Sequence, residues 1–314
     1  MSDIAKRVVL TGATGFVGSA VAAELLSHGH ELVVFSRDPQ AAAAKVPGAA
    51  EYVAWQPEAS GLWAAAVDGA DAVVHCAAAS IFDRRYTRQV AHDALANRVI
   101  STRGLVNAMA QAAHKPRVFV NSASQGIYGF EGVSQAEVDE RTPPATDYWG
   151  QDSKPWEDEA LRAESLGIRT VVMRIGYVLG ADGGGLPYQV RQARKGQSGI
   201  SRPAEASLSW IHIRDLARLF RFAVENASLH GPVNGTAPQP ASNGEYAELL
   251  GQLTGQPVKL MPYPLVRLFV GKVAEIYARQ KRVIPRQALA AGFTFDYPTL
   301  AEALADLAPR VSEA

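Results

Sequence analysis

The chain has a single cysteine, Cys76, so it can form no internal disulfide, and a multi-cysteine metal site is excluded. It has no surplus of charge either: 31 Lys and Arg balance 31 Asp and Glu over 314 residues. A protein that tracks nucleic-acid phosphates carries a basic excess, so that class is disfavoured. No apolar run approaches the roughly 20 residues that cross a bilayer. The opening stretch Met1–Arg7 runs straight into an apolar strand, without the n-region, h-region and cleavage site of a signal peptide. There is no His-Glu-x-x-His or clustered metal-ligand pattern, so no metal is expected. No internal repeat is visible. These absences leave a globular protein expected in a reducing cytoplasm, as a monomer or homodimer, with a small-molecule substrate and no nucleic-acid or membrane partner.

What is present is an alternation of short apolar runs and helical stretches. Strands are expected at Arg7–Thr11, Glu31–Ser36, Tyr52–Trp55, Ala72–Cys76, Arg117–Ser122 and Arg169–Ile175. Helices are expected at Phe16–His28, about Arg84–Ala113, and Lys154–Leu166. Strands that are apolar nearly throughout imply a parallel sheet covered on both faces. Right-handed crossovers then give an α/β, Rossmann-type, doubly wound sheet over residues 1–176. After Gly176 the pattern shortens into helices near Leu186–Arg194, Asp215–Glu225, Gly244–Leu253, Pro264–Gln280 and Tyr297–Leu307. Residues 177–314 read as a smaller, partly helical substrate or cap region, interleaved with the first into one compact unit. The amphipathic stretch Leu265–Tyr277 is expected to pack beneath that cap, because Arg267, Lys272 and Glu275 make its polar face mixed rather than basic.

The strongest motif is Thr11-Gly-Ala-Thr-Gly-Phe-Val-Gly18, between the first strand and first helix, which is the context a dinucleotide fingerprint requires. Gly12 permits a tight turn, Gly15 lets backbone approach a pyrophosphate on the helix N-terminus, and Gly18 lets helix and strand pack closely. Thr14, Phe16 and Val17 complete the expected diphosphate contacts. An NAD site usually ends the second strand with Asp or Glu for the ribose 2′-hydroxyl. Here Ser36 and Arg37 stand there, and Asp38 lies past the strand end as a cap for the next helix. A guanidinium suits a 2′-phosphate, so NADP(H) is predicted over NAD(H). Ala77, Ala78 and Ala79, beyond the fourth strand, are small enough to line the adenosine groove, while His75 and Cys76 read as packing residues.

With this fingerprint the chain resembles an extended short-chain dehydrogenase/reductase. Further segments narrow the resemblance: Ile81–Tyr86 (IFDRRY), Arg98–Thr102 (RVIST), Ser122–Gly129 (SASQGIYG), Trp156-Glu157, Arg174–Leu186 (RIGYVLGADGGGL), Ser209–Ile213 (SWIHI), Pro285 and Gly292–Phe295 (GFTF). Together they are similar to the atypical, epimerase-like YfcH-type group, from about residue 7 to residue 307. The resemblance implies a Rossmann-type domain, a small substrate-facing region and NADP(H) binding. It leaves the reaction open, because fold analogy does not fix function.

Superfamily members use a Tyr-x-x-x-Lys pair with a Ser or Thr, and that spacing is missing here: Tyr148 is followed four residues later by Asp152, Tyr128 by Gly132 and Tyr86 by Val90. Ser122 and Ser124 follow the fifth strand, and Ser124 takes the superfamily's hydroxyl position. Tyr148 stands where relatives tend to carry Phe and is the candidate replacement acid. Lys154 is the candidate ribose contact. In the resemblance, the corner Arg174, Ile175 and Gly176 passes near the nicotinamide, where backbone groups hold its carboxamide. Gly183–Gly185 let the next loop move as a lid. Trp156 reads as a packing anchor and His212 as structural. The sequence supports an NADP(H)-dependent oxidoreductase or epimerase-like enzyme. The missing tyrosine motivates a rival, a non-catalytic NADP(H) sensor or regulator, and a weaker third reading is an assembly subunit that keeps the nucleotide as a strut.

Overall fold

The computed structural model describes residues 5–57, 61–78, 87–130 and 135–311. Seven strands form one sheet: β1 (Arg7–Thr11), β2 (Glu31–Ser36), β3 (Glu51–Ala54), β4 (Ala72–His75), β5 (Val118–Ser124), β6 (Arg169–Ile175) and β7 (Gly231–Gly235). In space they run 7-6-5-4-1-2-3, and every pairing is parallel. The chain winds outward from β1 to β3 and then returns to β4 on the other side of β1. Strand order therefore reverses between β1 and β4, which opens a crevice at their carboxyl ends.

The helices are α1 (Phe16–Ser27), α2 (Pro39–Lys45), α3 (Arg88–Gln111), α4 (Tyr148–Leu161), α5 (Leu186–Arg194), α6 (Ile213–Glu225), α7 (Asn243–Thr254), α8 (Tyr263–Val270), α9 (Ala274–Ala278), α10 (Arg286–Ala290) and α11 (Leu300–Leu307). Alternate strand residues feed two cores, because successive side chains point to opposite faces. Val8, Leu10, Val34 and Val74 pack with Val21 and Leu25 of α1 and Leu219 and Phe220 of α6. Val9, Val33, Val73 and Phe119 pack with Leu105 and Met109 of α3 and Ala160 of α4. Each such aliphatic side chain, fully buried, contributes about 1.5–3 kcal/mol. That is why these strands are apolar almost throughout. Among the described residues no helix is long and apolar enough to cross a membrane.

A third core joins α5, α7 and α11 through Leu186, Val190, Tyr246, Leu250, Leu304 and Leu307. His212 ties it to the sheet. Its Nδ1 accepts from the Arg214 amide (3.0 Å), so its Nε2–H faces Asp306 Oδ2 at 3.0 Å, and its ring stacks on Tyr297. The region beyond Gly176 also supplies β7, the edge strand beside β6.

Three elements differ from the sequence reading. Helix α4 begins at Tyr148, because Asp147 caps it by accepting from the Gly150 amide. Lys154-Pro155 resembles a helix start with proline in first position, but Pro155 sits inside the helix. The expected helix Pro264–Gln280 is broken into α8 and α9 at Gly271, whose φ of 74° leaves the helical region. Nor does α8 bury its apolar face beneath the cap: Leu265 and Leu268 are 41% and 65% exposed.

Candidate functional site

The glycine turn at the carboxyl end of β1 is shaped by close contacts. Gly12 has φ +72°, and a Cβ there would lie 2.6 Å from the Ala77 amide nitrogen. A Cβ on Gly18 would lie 2.1 Å from the Gly12 carbonyl oxygen. Gly15, by contrast, is exposed, and a Cβ would meet only Gly12 O at 3.3 Å. Gly15 is also the N-cap of α1, with no capping side chain and no acid in the first turn. The amides of Phe16, Val17 and Gly18 therefore have no helical acceptor, and the positive helix end lies open beside exposed Thr14.

At the end of β2 the Ser36 hydroxyl is engaged in a turn with the Asp38 backbone. The Asp38 carboxylate caps α2 by accepting from Ala41 N, as the sequence implied. Arg37 is exposed and, among the described residues, has no acceptor or ion-pair partner. It borders a cavity of about 700 Å³ that also meets Trp55, Gln56, Leu62 and Trp63. The sequence reading missed these residues, although β3 neighbours β2 and its exit must lie at the same sheet edge. Trp55 is buried beside Phe35, Trp63 and His75.

The exit of β4 is held by a buried chain of hydrogen bonds. The Ala77 amide donates to Thr11 Oγ1 (3.2 Å), and Thr11 lies 2.6 Å from His75 Nδ1. The opposite ring nitrogen faces Ser101 Oγ at 3.1 Å, and Ser101 donates to the Arg98 carbonyl. Burial pushes the His75 pKa down to about 3, so the ring is neutral. Ala77, half-buried, and Ala78, exposed, follow the end of β4; Ala79 and the segment Ile81–Tyr86 lie outside the described residues. Burial pushes the Cys76 thiol up to about 12, against a hydrogen bond with Ser122. Ser122 is thus a buried partner of Cys76 rather than a groove contact.

The corner at the end of β6 also departs from expectation. Arg174 is 4% exposed and grips Glu157 of α4 with two bonds (2.9 and 2.8 Å). Its third bond goes to the Tyr128 hydroxyl, which donates to Asn234 of β7. Burial opposes the Arg174 charge, but the Glu157 bonds outweigh it and raise its pKa. Burial pushes the Tyr128 phenol up to about 12, so it keeps its proton at neutral pH. Ile175 pairs with Ser124 and Gly235 within the sheet. The Gly176 amide donates to Gly235 O, and the next amide, Tyr177, donates to Ser209 O. The amides of Gly176 and Tyr177 are therefore engaged in the fold. Lys154, expected at the ribose, pairs instead with Asp158 on the exposed side of α4.

Ser124 N-caps a short 3₁₀ turn, Gln125–Tyr128, accepting from the Gly126 amide at 3.0 Å. That bond uses a lone pair and leaves the hydroxyl proton free, at the carboxyl edge of the sheet. Ser153 of α4 approaches the same Gly126 face: a Cβ there would lie 3.1 Å from both hydroxyl oxygens. Tyr148 opens α4, is 37% exposed, and carries Lys272 Nζ 3.9 Å over its ring. Beside it, Trp149 donates to Glu275 of α9 (2.7 Å). Trp156 is a buried anchor that donates to Thr102. The expected glycine lid is instead wrapped on a ring: Cβ atoms at Gly180, Gly183 and Gly184 would lie 2.7, 2.4 and 3.1 Å from Phe16. These glycines make room for the first side chain of α1, so Phe16 packs under this loop.

Residues 8–234 match the model of the NAD dependent epimerase/dehydratase family, and residues 261–307 match a domain of unknown function, DUF1731. The epimerase family protein YfhF of Bacillus subtilis is 29% identical over 302 residues, covering 96% of this chain and 97% of that protein. The epimerase family protein SDR39U1 of mouse is 31% identical over 306 residues, covering 96% and 99%. The crystal structure of human SDR39U1 (isoform 2) with NADPH superimposes with a TM-score of 0.83 at 31% identity, covering 96% of this chain and 99% of that one.

Proposed function

The chain belongs to the NAD dependent epimerase/dehydratase family, and from that premise we propose that it binds NADP(H) and acts as an oxidoreductase or epimerase-like enzyme on a small carbonyl or hydroxyl compound. The observation that carries the reading is the open donor set at the ends of β1 and β2. The uncapped amides of Phe16, Val17 and Gly18 suit a diphosphate. Arg37, exposed and without a partner among the described residues, suits a phosphate on the adenosine ribose. The relative crystallised with NADPH supports the phosphorylated coenzyme. Ala77 and Ala78 leave the wall of the crevice flat enough for close approach.

A dinucleotide held by these residues would supply the hydride chemistry. The protein's part is to orient substrate and move a proton. Ser124 donates a hydrogen bond that polarises the substrate oxygen, and Tyr148 or water gives or takes the one proton transferred. Fluorescence titration of NADPH and NADH into wild type and Arg37→Ala tests the coenzyme half. Tighter NADPH binding in wild type, lost in the variant, is expected; equal wild-type affinities defeat it.

A specific observation favours a second reading, a non-catalytic NADP(H) sensor. The candidate acid Tyr148 sits at the start of α4 under Lys272, and Lys154 is drawn to Asp158. A panel of carbonyl compounds separates the two. Oxidation of NADPH by any of them supports the enzyme; tight NADPH binding without oxidation, together with NADPH-dependent capture of a partner, supports the sensor.

A further inference from the structure

Directly after Ser124, the side chain of Gln125 is buried (5% exposed) and donates from Nε2 to Gln280 Oε1 at 3.1 Å. The orientation of Gln280 is fixed from both ends. Its Nε2 donates to the Ile276 carbonyl (2.8 Å), and its Oε1 accepts from the Ser209 amide (2.7 Å). Gln125 must therefore present nitrogen to Gln280, and its own Oε1 is left with no donor. A second orphan lies against the same residue. Ser207, 1% exposed, forms an antiparallel bridge with Gln280, and its hydroxyl has no partner. Leaving a buried acceptor unmet is costly, and native structures leave few.

We infer that Gln125, Gln280 and Ser207 form a recognition notch for a hydroxyl group of the substrate, beside the carbonyl or carbinol addressed by Ser124. The inference rests on the enzymatic reading above. A hydroxyl can donate to Gln125 Oε1 and accept from Ser207 Oγ, so one group answers both orphans. A carboxylate cannot, because it has no proton for the Gln125 oxygen and would meet that oxygen's negative end. The substrate class is thus a neutral hydroxy-carbonyl compound or its reduced polyol. The notch is built across the molecule: Gln125 comes from the end of β5, while Ser207 and Gln280 come from the region beyond Gly176. Ser209 reinforces it by donating to the Lys281 carbonyl and accepting from the Val283 amide.

The test uses the full chain, with and without saturating NADPH, and three probes of similar size: hydroxyacetone, acetone and pyruvate. Ligand-observed NMR reads their affinities, and coenzyme fluorescence reads NADPH binding separately. Hydroxyacetone is expected to bind wild type at least about tenfold tighter than acetone, with pyruvate no better than acetone. Ser207→Ala, which removes one oxygen, and Gln125→Met should each reduce that ratio severalfold while NADPH binding persists. Equal affinities for hydroxyacetone and acetone overturn the inference, as does a ratio that survives both substitutions. So does a crystal soaked with hydroxyacetone in which the notch keeps a water and the probe lies elsewhere. Failure of NADPH to bind strikes the coenzyme reading instead, and the probe ratio on the free protein still judges the notch.

Discussion

The carboxyl edge of the sheet is built in two ways. At β1 and β2 the polar groups are open: α1 has no cap, Gly15 faces solvent, and Arg37 has no counter-charge among the described residues. At β6 and β7 they are closed. Arg174 is locked to Glu157, Tyr128 to Asn234, and the Gly176 amide to Gly235. Both stretches contain residue types that bind coenzymes elsewhere. What separates them is whether hydrogen-bonding capacity is already engaged within the fold. A guanidinium with two buried carboxylate bonds holds the molecule together, whereas one with none is available to a ligand.

The comparison breaks most sharply at the closed end. Arg174→Met strands Glu157 in a buried site and should cost about 3–5 kcal/mol in urea unfolding, while NADPH affinity of the folded protein changes little. If stability is unchanged and NADPH binding collapses, Arg174 belongs to the open class.

Acid sharpens the same contrast. His75 and His212 are held neutral by burial, with folded pKa values of about 3 and about 4. The unfolded chain takes up these protons first, near pH 6.5. Their stabilisation is therefore complete above pH 6.5 and lost as pH falls toward 4 for His212 and 3 for His75. Each pH unit in that window should remove about 1.4 kcal/mol per histidine. Urea midpoints measured from pH 7 to pH 4.5 check the slope; a flat profile would show that both rings take up protons in the fold as readily as in the unfolded chain.

Smaller effects probe the open end. Arg37→Ala should weaken NADPH binding about tenfold or more and leave NADH unchanged; an equal loss for both coenzymes would place Arg37 away from the 2′-phosphate. Lys154→Ala should shift stability by no more than about 0.5 kcal/mol, since its pair with Asp158 is solvent-exposed. A clear loss of NADPH affinity in that variant would return Lys154 to the coenzyme.

The same distinction explains what was legible in the sequence. Strands β1, β2 and β6 carry their boundaries in short, mostly apolar runs, and the glycine turn encodes its geometry in Gly12 and Gly18, which tolerate no Cβ. The roles of Arg174, Ser122 and Lys154 were not legible. Each depends on a partner far away in sequence or on which way a side chain leaves its element, and neither is local information. The glycines at 180, 183 and 184 signal freedom in the sequence but serve close packing on Phe16, 164 or more residues away in the chain. Ser207 and Gln280 carry no motif, and Gln125 sits in one without a role of its own. Only the unmet Gln125 oxygen and Ser207 hydroxyl single the cluster out.

One spectrum addresses the open-end claim directly: backbone amide and arginine side-chain NMR of the deuterated protein, titrated with NADPH and, in parallel, NADH. Large shifts at the Phe16, Val17 and Gly18 amides with both coenzymes, and at the Arg37 guanidinium with NADPH alone, are predicted. Amides that stay in place at saturation, or an Arg37 signal that responds identically to the two coenzymes, would contradict it.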